Sequence, residues 1–169
     1  MQYIHVRPAV SADAAAISEI YNHYVLHSTA TYQEQPESLA ERHAWMEAHG
    51  PEHPVFIAEL KDDHGRTRVA GWASLNRFHA RSAYRHTVEN SVYVHPALQR
   101  RGAGRLLLER LIEAGRCAGH RSIVALISAD QEPSIRLHLA CGFVEAGRLR
   151  AVGMKFDQWL DVVYFQLGL

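Results

Sequence analysis

The most informative segment of the chain is Val92-Tyr93-Val94-His95-Pro96-Ala97-Leu98-Gln99-Arg100-Arg101-Gly102-Ala103-Gly104-Arg105-Leu106. In it a β-branched strand pattern ends, a short loop carries two arginines and two glycines, and a helical pattern begins. Glycines lack a Cβ atom, so a ligand can approach their backbone closely. The free N–H groups of a helix start point outward and carry positive potential. The stretch therefore predicts a phosphate or pyrophosphate site formed by Arg100, Arg101, Gly102, Ala103, Gly104 and Arg105.

Two familiar phosphate motifs do not fit this loop. A Walker A loop needs Gly-Lys-Ser/Thr, which the stretch lacks, and the dinucleotide fingerprint needs a third glycine where Leu107 stands. A nucleotide-dependent dehydrogenase is therefore disfavoured. The remaining alternative is an arginine- and glycine-bearing turn that opens an ordinary surface helix.

Hydrophobic periodicity on either side of the loop predicts the element order β-α-α-β-β-β-α-β-α-β-β. Strands are expected at residues 3–7, 55–60, 69–75, 87–94, 122–127, 143–149 and 161–167, with a turn at 62–65. Helices are expected after Ser11 or Asp13, from about Pro36 to Gly50, at about 101–118 and at about 133–140. Hairpins at the front and crossover helices at the back predict an α/β fold whose mixed sheet has helices on both faces. Because no repeat or linker divides the chain, residues 1–169 are expected to form one domain.

The composition and charge of the chain disfavour several classes of function. The 169 residues are 47% hydrophobic and carry 18 basic and 18 acidic side chains, so the formal net charge is zero. A general nucleic-acid binder needs a surplus of cations and is disfavoured. No apolar run approaches the roughly 20 residues that span a bilayer, and no signal peptide is indicated. With only two isolated cysteines, Cys117 and Cys141, the chain is expected in the cytoplasm and away from membranes.

The loop fits the pattern Gln/Arg-x-x-Gly-x-Gly/Ala at residues 99–104 and resembles the pyrophosphate loop of the GNAT N-acetyltransferase superfamily, which binds acetyl-CoA. A helix before Gly142-Phe143 and the element order agree with that superfamily. Further blocks resemble the phosphinothricin / methionine sulfoximine N-acetyltransferase family, at residues 20–24, 28–32, 83–85, 87–94, 133–138 and 153–162. The resemblance implies a mostly antiparallel central sheet, acetyl-CoA as co-substrate, no metal, a small amino-acid-like substrate and a homodimer.

Glu89 is the candidate general base. Acetyl transfer needs an amine with a free lone pair, so a base must take a proton from the substrate ammonium. Glu89 lies inside the β-branched run Thr87 to Val94, where burial would raise the pKa of its carboxyl group. The resemblance places the base at this position as well. The alternative is a structural ion pair between Glu89 and a loop arginine.

His138 is the second catalytic candidate. Many superfamily members carry a tyrosine at this slot, and the resemblance to the phosphinothricin-type family implies a histidine there. An imidazolium could protonate the leaving thiolate, and a neutral imidazole could serve as a second base. The alternative is a core or surface histidine of a helix.

The resemblance also implies contacts with the cofactor. It assigns pairing with the pantetheine arm to the backbone of Val92, Tyr93 and Val94, where a main-chain N–H could polarise the thioester carbonyl. It places Gln131 and Ser134 against the cofactor too. Family members often carry asparagine at the position of Gln131, and glutamine is one methylene longer.

Substrate contacts are implied at His79, Ala80 and Arg81 and at Glu89, Asn90 and Ser91. A guanidinium holds carboxylates and phosphinates bidentately, so an arginine-bearing loop favours an anionic substrate. The alternative is a set of solvated loop charges. His23 and His27 have a spacing that could bind metal, but no third ligand follows a recognisable pattern, so they are expected on a helix surface.

Two other functions stay open from the sequence. One is a GNAT acting on another amine, such as a polyamine, an aminoglycoside or a protein N-terminus. The other is a CoA-binding domain without catalytic activity.

Overall fold

The computed structural model describes residues 3–61 and 64–169. The strands are β1 (Tyr3–Pro8), β2 (Val55–Lys61), β3 (Thr67–Arg77), β4 (Thr87–Val94), β5 (Ser122–Ser128), β6 (Val144–Lys155) and β7 (Gln158–Gly168). The helices are α1 (Ala14–His27), α2 (Leu39–Glu47), α3 (Ala103–Cys117) and α4 (Glu132–Ala140). This order of helices and strands is the predicted one. The first half of the turn expected at 62–65 lies outside the described residues.

The seven strands form one sheet in the order β1-β2-β3-β4-β5-β7-β6. Every neighbouring pair is antiparallel except β4 and β5, which run parallel. A parallel pair needs a crossover connection, and α3 supplies it between these two strands. The predicted α/β fold with a mixed, mostly antiparallel sheet is therefore confirmed.

Two apolar cores lie on opposite faces of the sheet. Successive residues of a strand point to opposite faces, so Phe56 and Ile57 of β2 enter different cores. Phe56 belongs to the core that contains Leu107 and Leu111 of α3. Ile57 packs in the smaller core that contains Ile17 of α1. Helices on both faces, as the sequence predicts, follow from this arrangement.

Several boundaries differ from the sequence prediction, and two of the differences have a clear local cause. Helix α2 begins at Leu39 and not near Pro36, because Ser38 caps it: its hydroxyl accepts from the Glu41 N–H at 3.2 Å, and the Glu41 carboxylate accepts from the Ser38 N–H at 2.7 Å. Strands β6 and β7 form a longer hairpin than expected, turning at Phe156 and Asp157 with φ of 52° and 57°. A two-residue hairpin turn with both φ positive usually carries glycine or asparagine. Because Phe156 and Asp157 are neither, the turn was not predictable from the sequence.

Candidate active site

The sheet opens between β4 and β5. These parallel strands pair only at Thr87↔Ser122, Val88↔Ile123 and Glu89↔Val124. Beyond Glu89 the strands diverge, and residues 90–94 and 125–128 line a cleft of about 920 Å³. Backbone N–H and C=O groups are obligatory hydrogen-bonding groups, so the diverging edges of the two strands are available to a ligand that enters the cleft.

The predicted phosphate loop lies at the edge of this cleft. Arg100 and Gly102 both have left-handed backbones, with φ of 61° and 89°, and α3 begins directly afterwards at Ala103. Arg100 and residues 102–105 line the cleft, whereas Arg101 is exposed and is not among the lining residues. Alternating left-handed residues in front of a helix start turn successive N–H groups toward one point, which suits an anion.

The two glycines of the loop serve different purposes. Nothing lies within 4 Å of a Cβ built on Gly102, so glycine is needed there for its backbone angle. A Cβ on Gly104 would lie 3.3 Å from Leu137 Cδ2 and 3.4 Å from Val94 Cγ2. Gly104 thus allows α3 to pack closely against α4 and β4. Gly104 also lines the cleft, so its predicted role in ligand approach stays a prediction beside this packing role.

Tyr24 ties α1 to the end of β4 beside the loop. Its hydroxyl donates to the Val94 carbonyl at 2.5 Å and accepts from Gln99 Nε2 at 2.9 Å. Burial raises the pKa of Tyr24, so the phenol stays neutral. Tyr24 and Gln99 were not predicted as site residues, although Tyr24 belongs to a family-like block and Gln99 opens the loop motif.

Glu89 stands at the point where the strands part. Its half-buried side chain lines the cleft, and its main chain pairs with Asn76 of β3. Burial raises the pKa of the Glu89 carboxyl group, and no charge in the described part of the chain opposes this shift. The alternative of a structural ion pair with a loop arginine finds no support among residues 3–61 and 64–169.

His138 of α4 is buried at the cleft and meets Asn90. Its exposed fraction is 3%, its Nε2 lies 2.9 Å from Asn90 Nδ2, and its Nδ1 lies 2.8 Å from the Ser134 carbonyl oxygen. Burial lowers the pKa of His138, which favours the neutral ring. Both ring nitrogens are therefore engaged inside the protein.

Gln131 and Ser134, expected against the cofactor, both line the cleft. The Gln131 Nε2 donates to Thr29 Oγ1 at 2.7 Å, and the Thr29 hydroxyl donates to Asp130 Oδ2 at 2.6 Å. This chain of hydrogen bonds fixes the residues around Thr29, and Ser28 and Ala30 on either side of it form part of the cleft wall.

The expected substrate residues fall into two groups. Glu89, Asn90 and Ser91 line the cleft together. Residues 79–81 lie in the exposed connection between β3 and β4 and are not among its lining residues. There the ring centres of His79 and Tyr84 lie 5.0 Å apart, and His79 Nδ1 accepts a hydrogen bond from the Arg81 N–H at 3.1 Å. Within the described chain, the structure therefore brings only the β4 group to the cleft.

Several other residues that line the cleft were not predicted from the sequence. They come from α1, the loop after it, β5 and α4: His23, Tyr24, Ser28, Ala30, Ala125, Leu126, Ile127, Ser128, Pro133, Arg136 and Leu137. One edge of the apolar strand β5 is exposed to the cleft at residues 125–128. His23 and His27 lie 5.0 Å apart, ring centre to ring centre, on the exposed side of α1.

The described residues show neither a metal site nor a membrane-spanning helix. Within residues 3–61 and 64–169, no three His, Cys, Asp or Glu side chains group together as a metal site would require. Of the helices described, none combines the length and apolar character needed to cross a membrane.

A sheet that parts between two parallel strands, with a glycine- and arginine-bearing loop at one end and a carboxylate at the other, fits a class of acyltransferase. The chain belongs to the acetyltransferase (GNAT) family, whose sequence profile matches residues 17–143. The resemblance drawn from the sequence is thereby confirmed.

Within this family, the chain is similar to acetyltransferases that are named for amino-acid-like substrates. The chain is 43% identical to an L-methionine sulfoximine/L-methionine sulfone acetyltransferase of Salmonella typhimurium, over 97% of this chain and 94% of the relative. It is 37% identical to a phosphinothricin N-acetyltransferase of Streptomyces viridochromogenes, over 96% and 86%. A GNAT superfamily phosphinothricin acetyltransferase of Sinorhizobium meliloti, solved in complex with acetyl-CoA, superposes with a TM-score of 0.91 at 37% identity, covering 98% and 88% of the two chains.

Proposed function

We propose that this protein transfers the acetyl group of acetyl-CoA to the α-amine of a small amino-acid-like substrate such as phosphinothricin, methionine sulfoximine or methionine sulfone. The observation that carries the proposal is the opening between β4 and β5, which runs from the Arg100–Arg105 loop to Glu89. The names of the relatives at 37–43% identity supply the substrate class. The whole of residues 1–169 would act as one acetyltransferase domain in the cytoplasm.

The loop fits the diphosphate of coenzyme A. Its left-handed residues, the start of α3 and the cationic side chains of Arg100 and Arg105 all favour an anion. From Val94 to Glu89 the strand advances roughly 17 Å at about 3.3 Å per residue, which leaves room for an extended arm along Val92–Val94. The coenzyme supplies an activated thioester, and the chain supplies the groups that orient it.

Glu89 would act as the base. A C–N bond forms between the substrate amine and the acetyl carbon while the C–S bond to the coenzyme breaks. The substrate ammonium first gives one proton to the Glu89 carboxylate, directly or through water, and the neutral amine then attacks. The nitrogen loses its second proton to solvent as the amide forms, and the sulfur leaves as a thiolate that takes a proton from solvent. A carboxyl group whose pKa is raised by burial is a better proton acceptor than an ordinary one near neutral pH.

The substrate would lie against Glu89 and Ser91 and beside the backbone of Asn90. Its anionic group would extend out of the cleft toward the exposed loop that carries His79, Ala80 and Arg81. Arg81 favours a carboxylate or phosphinate, since a guanidinium pairs with both of its oxygens. This arrangement distinguishes the proposal from a GNAT that acts on polyamines, whose cationic substrates would be repelled by an arginine-bearing loop.

The protein would act as a homodimer. Apolar side chains of the β6–β7 hairpin are exposed by 46–68%: Leu149, Val152, Met154, Phe156 and Trp159. Monomeric proteins rarely expose large apolar patches, so five exposed apolar side chains on one hairpin support an interface there.

An acetyl-CoA consumption assay tests the proposed function. Purified protein is offered methionine sulfoximine, methionine sulfone, phosphinothricin, standard amino acids, spermidine and an aminoglycoside, and thiol release is followed. Turnover confined to the amino-acid-like amines supports the proposal. Turnover confined to spermidine or the aminoglycoside points to the other GNAT activity, and coenzyme binding with no turnover points to a non-catalytic domain.

A further inference from the structure

Asn90 and Glu89 both line the cleft, but their side chains lie on opposite faces of the sheet. The two are neighbours on β4, so their side chains point to opposite faces of the sheet. Asn90 shares its face with Val92 and Val94, which pack in the core containing α3, and it lines the cleft while only 7% exposed. This is also the face from which α3 and its phosphate loop approach the cleft.

The orientation of the Asn90 amide follows from His138. The His138 Nδ1 faces a main-chain carbonyl, that of Ser134 at 2.8 Å, so this nitrogen must carry the hydrogen. In a neutral ring the Nε2 is then an acceptor, and the group 2.9 Å away must be the NH₂ of Asn90. The amide oxygen Oδ1 is consequently turned away from His138.

That oxygen is enclosed and, among the described residues, has no hydrogen-bond partner. An unsatisfied buried acceptor is costly, and a side chain held in such an orientation by a second residue is unusual without a donor to meet it. Asn90 and His138 both line the cleft, so a ligand that enters it is a candidate source of this donor.

We infer that Asn90 Oδ1 accepts a hydrogen bond from an amide N–H of the pantetheine arm of coenzyme A, and that His138 is the residue that positions Asn90. The inference rests on the proposed function. An arm that starts at the loop meets Val94, then Val92, then Asn90, roughly 13 Å along one face of the strand. The substrate amine has to reach Glu89 on the other face. His138 is then a positioning residue and not the acid that protonates the thiolate.

Calorimetry with two probes tests the contact. Coenzyme A and adenosine 3′-phosphate 5′-diphosphate share the nucleotide and diphosphate, and only coenzyme A has the pantetheine amides. In Asn90→Leu, we expect the Kd of coenzyme A to rise roughly three- to tenfold, the effect of one lost hydrogen bond, and the Kd of the nucleotide to stay unchanged. Equal Kd values for coenzyme A in the variant and the wild type overturn the inference, as does a raised substrate KM with unchanged coenzyme affinity.

Nitrogen NMR and two His138 variants test the positioning role. The wild-type ring should show a protonated Nδ1 and an unprotonated Nε2 from pH 6 to pH 8. His138→Gln, whose amide oxygen can still accept from Asn90, should keep coenzyme affinity, and His138→Phe should lose the same factor as Asn90→Leu. A ring that titrates in step with turnover, or a His138→Phe variant that loses turnover with unchanged coenzyme affinity, overturns this role.

These measurements distinguish a failure of the proposed function from a failure of the Asn90 contact alone. If the wild type binds no coenzyme A, the proposed function fails. If the wild type binds it and Asn90→Leu binds it equally well, only the Asn90 contact fails. Because the NMR measurement uses unmodified protein, it decides the His138 orientation even if the Phe variant does not fold.

Discussion

The ammonium group of Lys155 lies 2.7 Å from the carbonyl oxygen of Thr31. It also donates to the carbonyls of Ser28 at 2.7 Å and Tyr24 at 3.4 Å, and the side chain is 3% exposed. These carbonyls belong to the last turn of α1 and the segment that follows, where the helix dipole favours a cation. Lys155 thus ties the end of β6 to the segment that contributes Ser28 and Ala30 to the cleft wall.

Removing this ammonium should destabilise the protein. Lys155→Met leaves the Ser28 and Thr31 carbonyls without this donor, whereas the Tyr24 carbonyl keeps the Ser28 N–H. We therefore expect the free energy of unfolding to fall by about 2–4 kcal/mol. The chain offers a matched control, since Lys61 is exposed at the end of β2 and Lys61→Met should change stability by less than about 0.5 kcal/mol. Urea unfolding of both variants makes the comparison. Equal losses would mean that the three carbonyls gain little from Lys155.

Glu89→Gln should lower turnover strongly. The amide cannot accept the proton of the substrate ammonium, and general base catalysis contributes about 10²–10⁴-fold, so a loss of that order is expected in kcat. Coenzyme A affinity should stay as in the wild type. Glu19→Gln, on the exposed side of α1, is the control and should leave kcat unchanged. Unaltered turnover in Glu89→Gln would remove this carboxylate from the mechanism.

The pH profile of kcat/KM should carry the signature of Glu89. The base acts in its ionised form, so the rate should fall as the pH drops through the pKa of this carboxyl group. Because burial raises that pKa above the ordinary 4.5, the fall begins at a higher pH than an exposed glutamate would give. Initial rates from pH 4.5 to 9 would show this limb, and Glu89→Gln should lack it.

Local signals explain what the sequence predicted well. The strand, loop and helix around Gly102 are adjacent in the chain, and their apolar periodicity and turn residues are legible in one short stretch. The buried position of Glu89 followed from the β-branched run around it. Each of these features depends on neighbours within about fifteen residues.

Features that depend on distant parts of the chain were not predictable. The opening of the sheet is set by where β4 and β5 cease to pair, and these strands are separated by α3. Gly104 is small because Leu137, far along the chain, packs against it. The hydrogen bond between Asn90 and His138 joins residues 48 positions apart. Most of the predicted site residues line the cleft, but the long-range contacts that place them there were not predictable.

Gly102→Ala should weaken coenzyme binding through the backbone. At φ of 89° an alanine is strained by about 1–2 kcal/mol, and relief of that strain turns the N–H groups of the loop away from the anion. Gly119 has φ of 78° and open space around it, so Gly119→Ala carries the same strain outside the cleft. Both variants should lose similar stability by thermal unfolding, and only Gly102→Ala should bind coenzyme A more weakly in calorimetry. Equal coenzyme affinity in the two would show that the loop N–H groups do not hold the diphosphate.

The exposed hairpin face should hold two chains together. Trp159 is 68% exposed and stands directly opposite Met154 in the β6–β7 register, so the two side chains share one face. Trp159→Glu would force a charge into an apolar interface, and loss of a central aromatic contact commonly costs 2 kcal/mol or more, so we expect the dimer Kd to rise roughly 30-fold or more. Tyr3→Glu is the control: Tyr3 is 56% exposed on β1, at the opposite edge of the sheet. In analytical ultracentrifugation Tyr3→Glu should sediment as the wild type does and Trp159→Glu as a monomer. A wild type that is monomeric at all concentrations, or a Trp159→Glu variant that stays dimeric, would place the interface elsewhere or remove it.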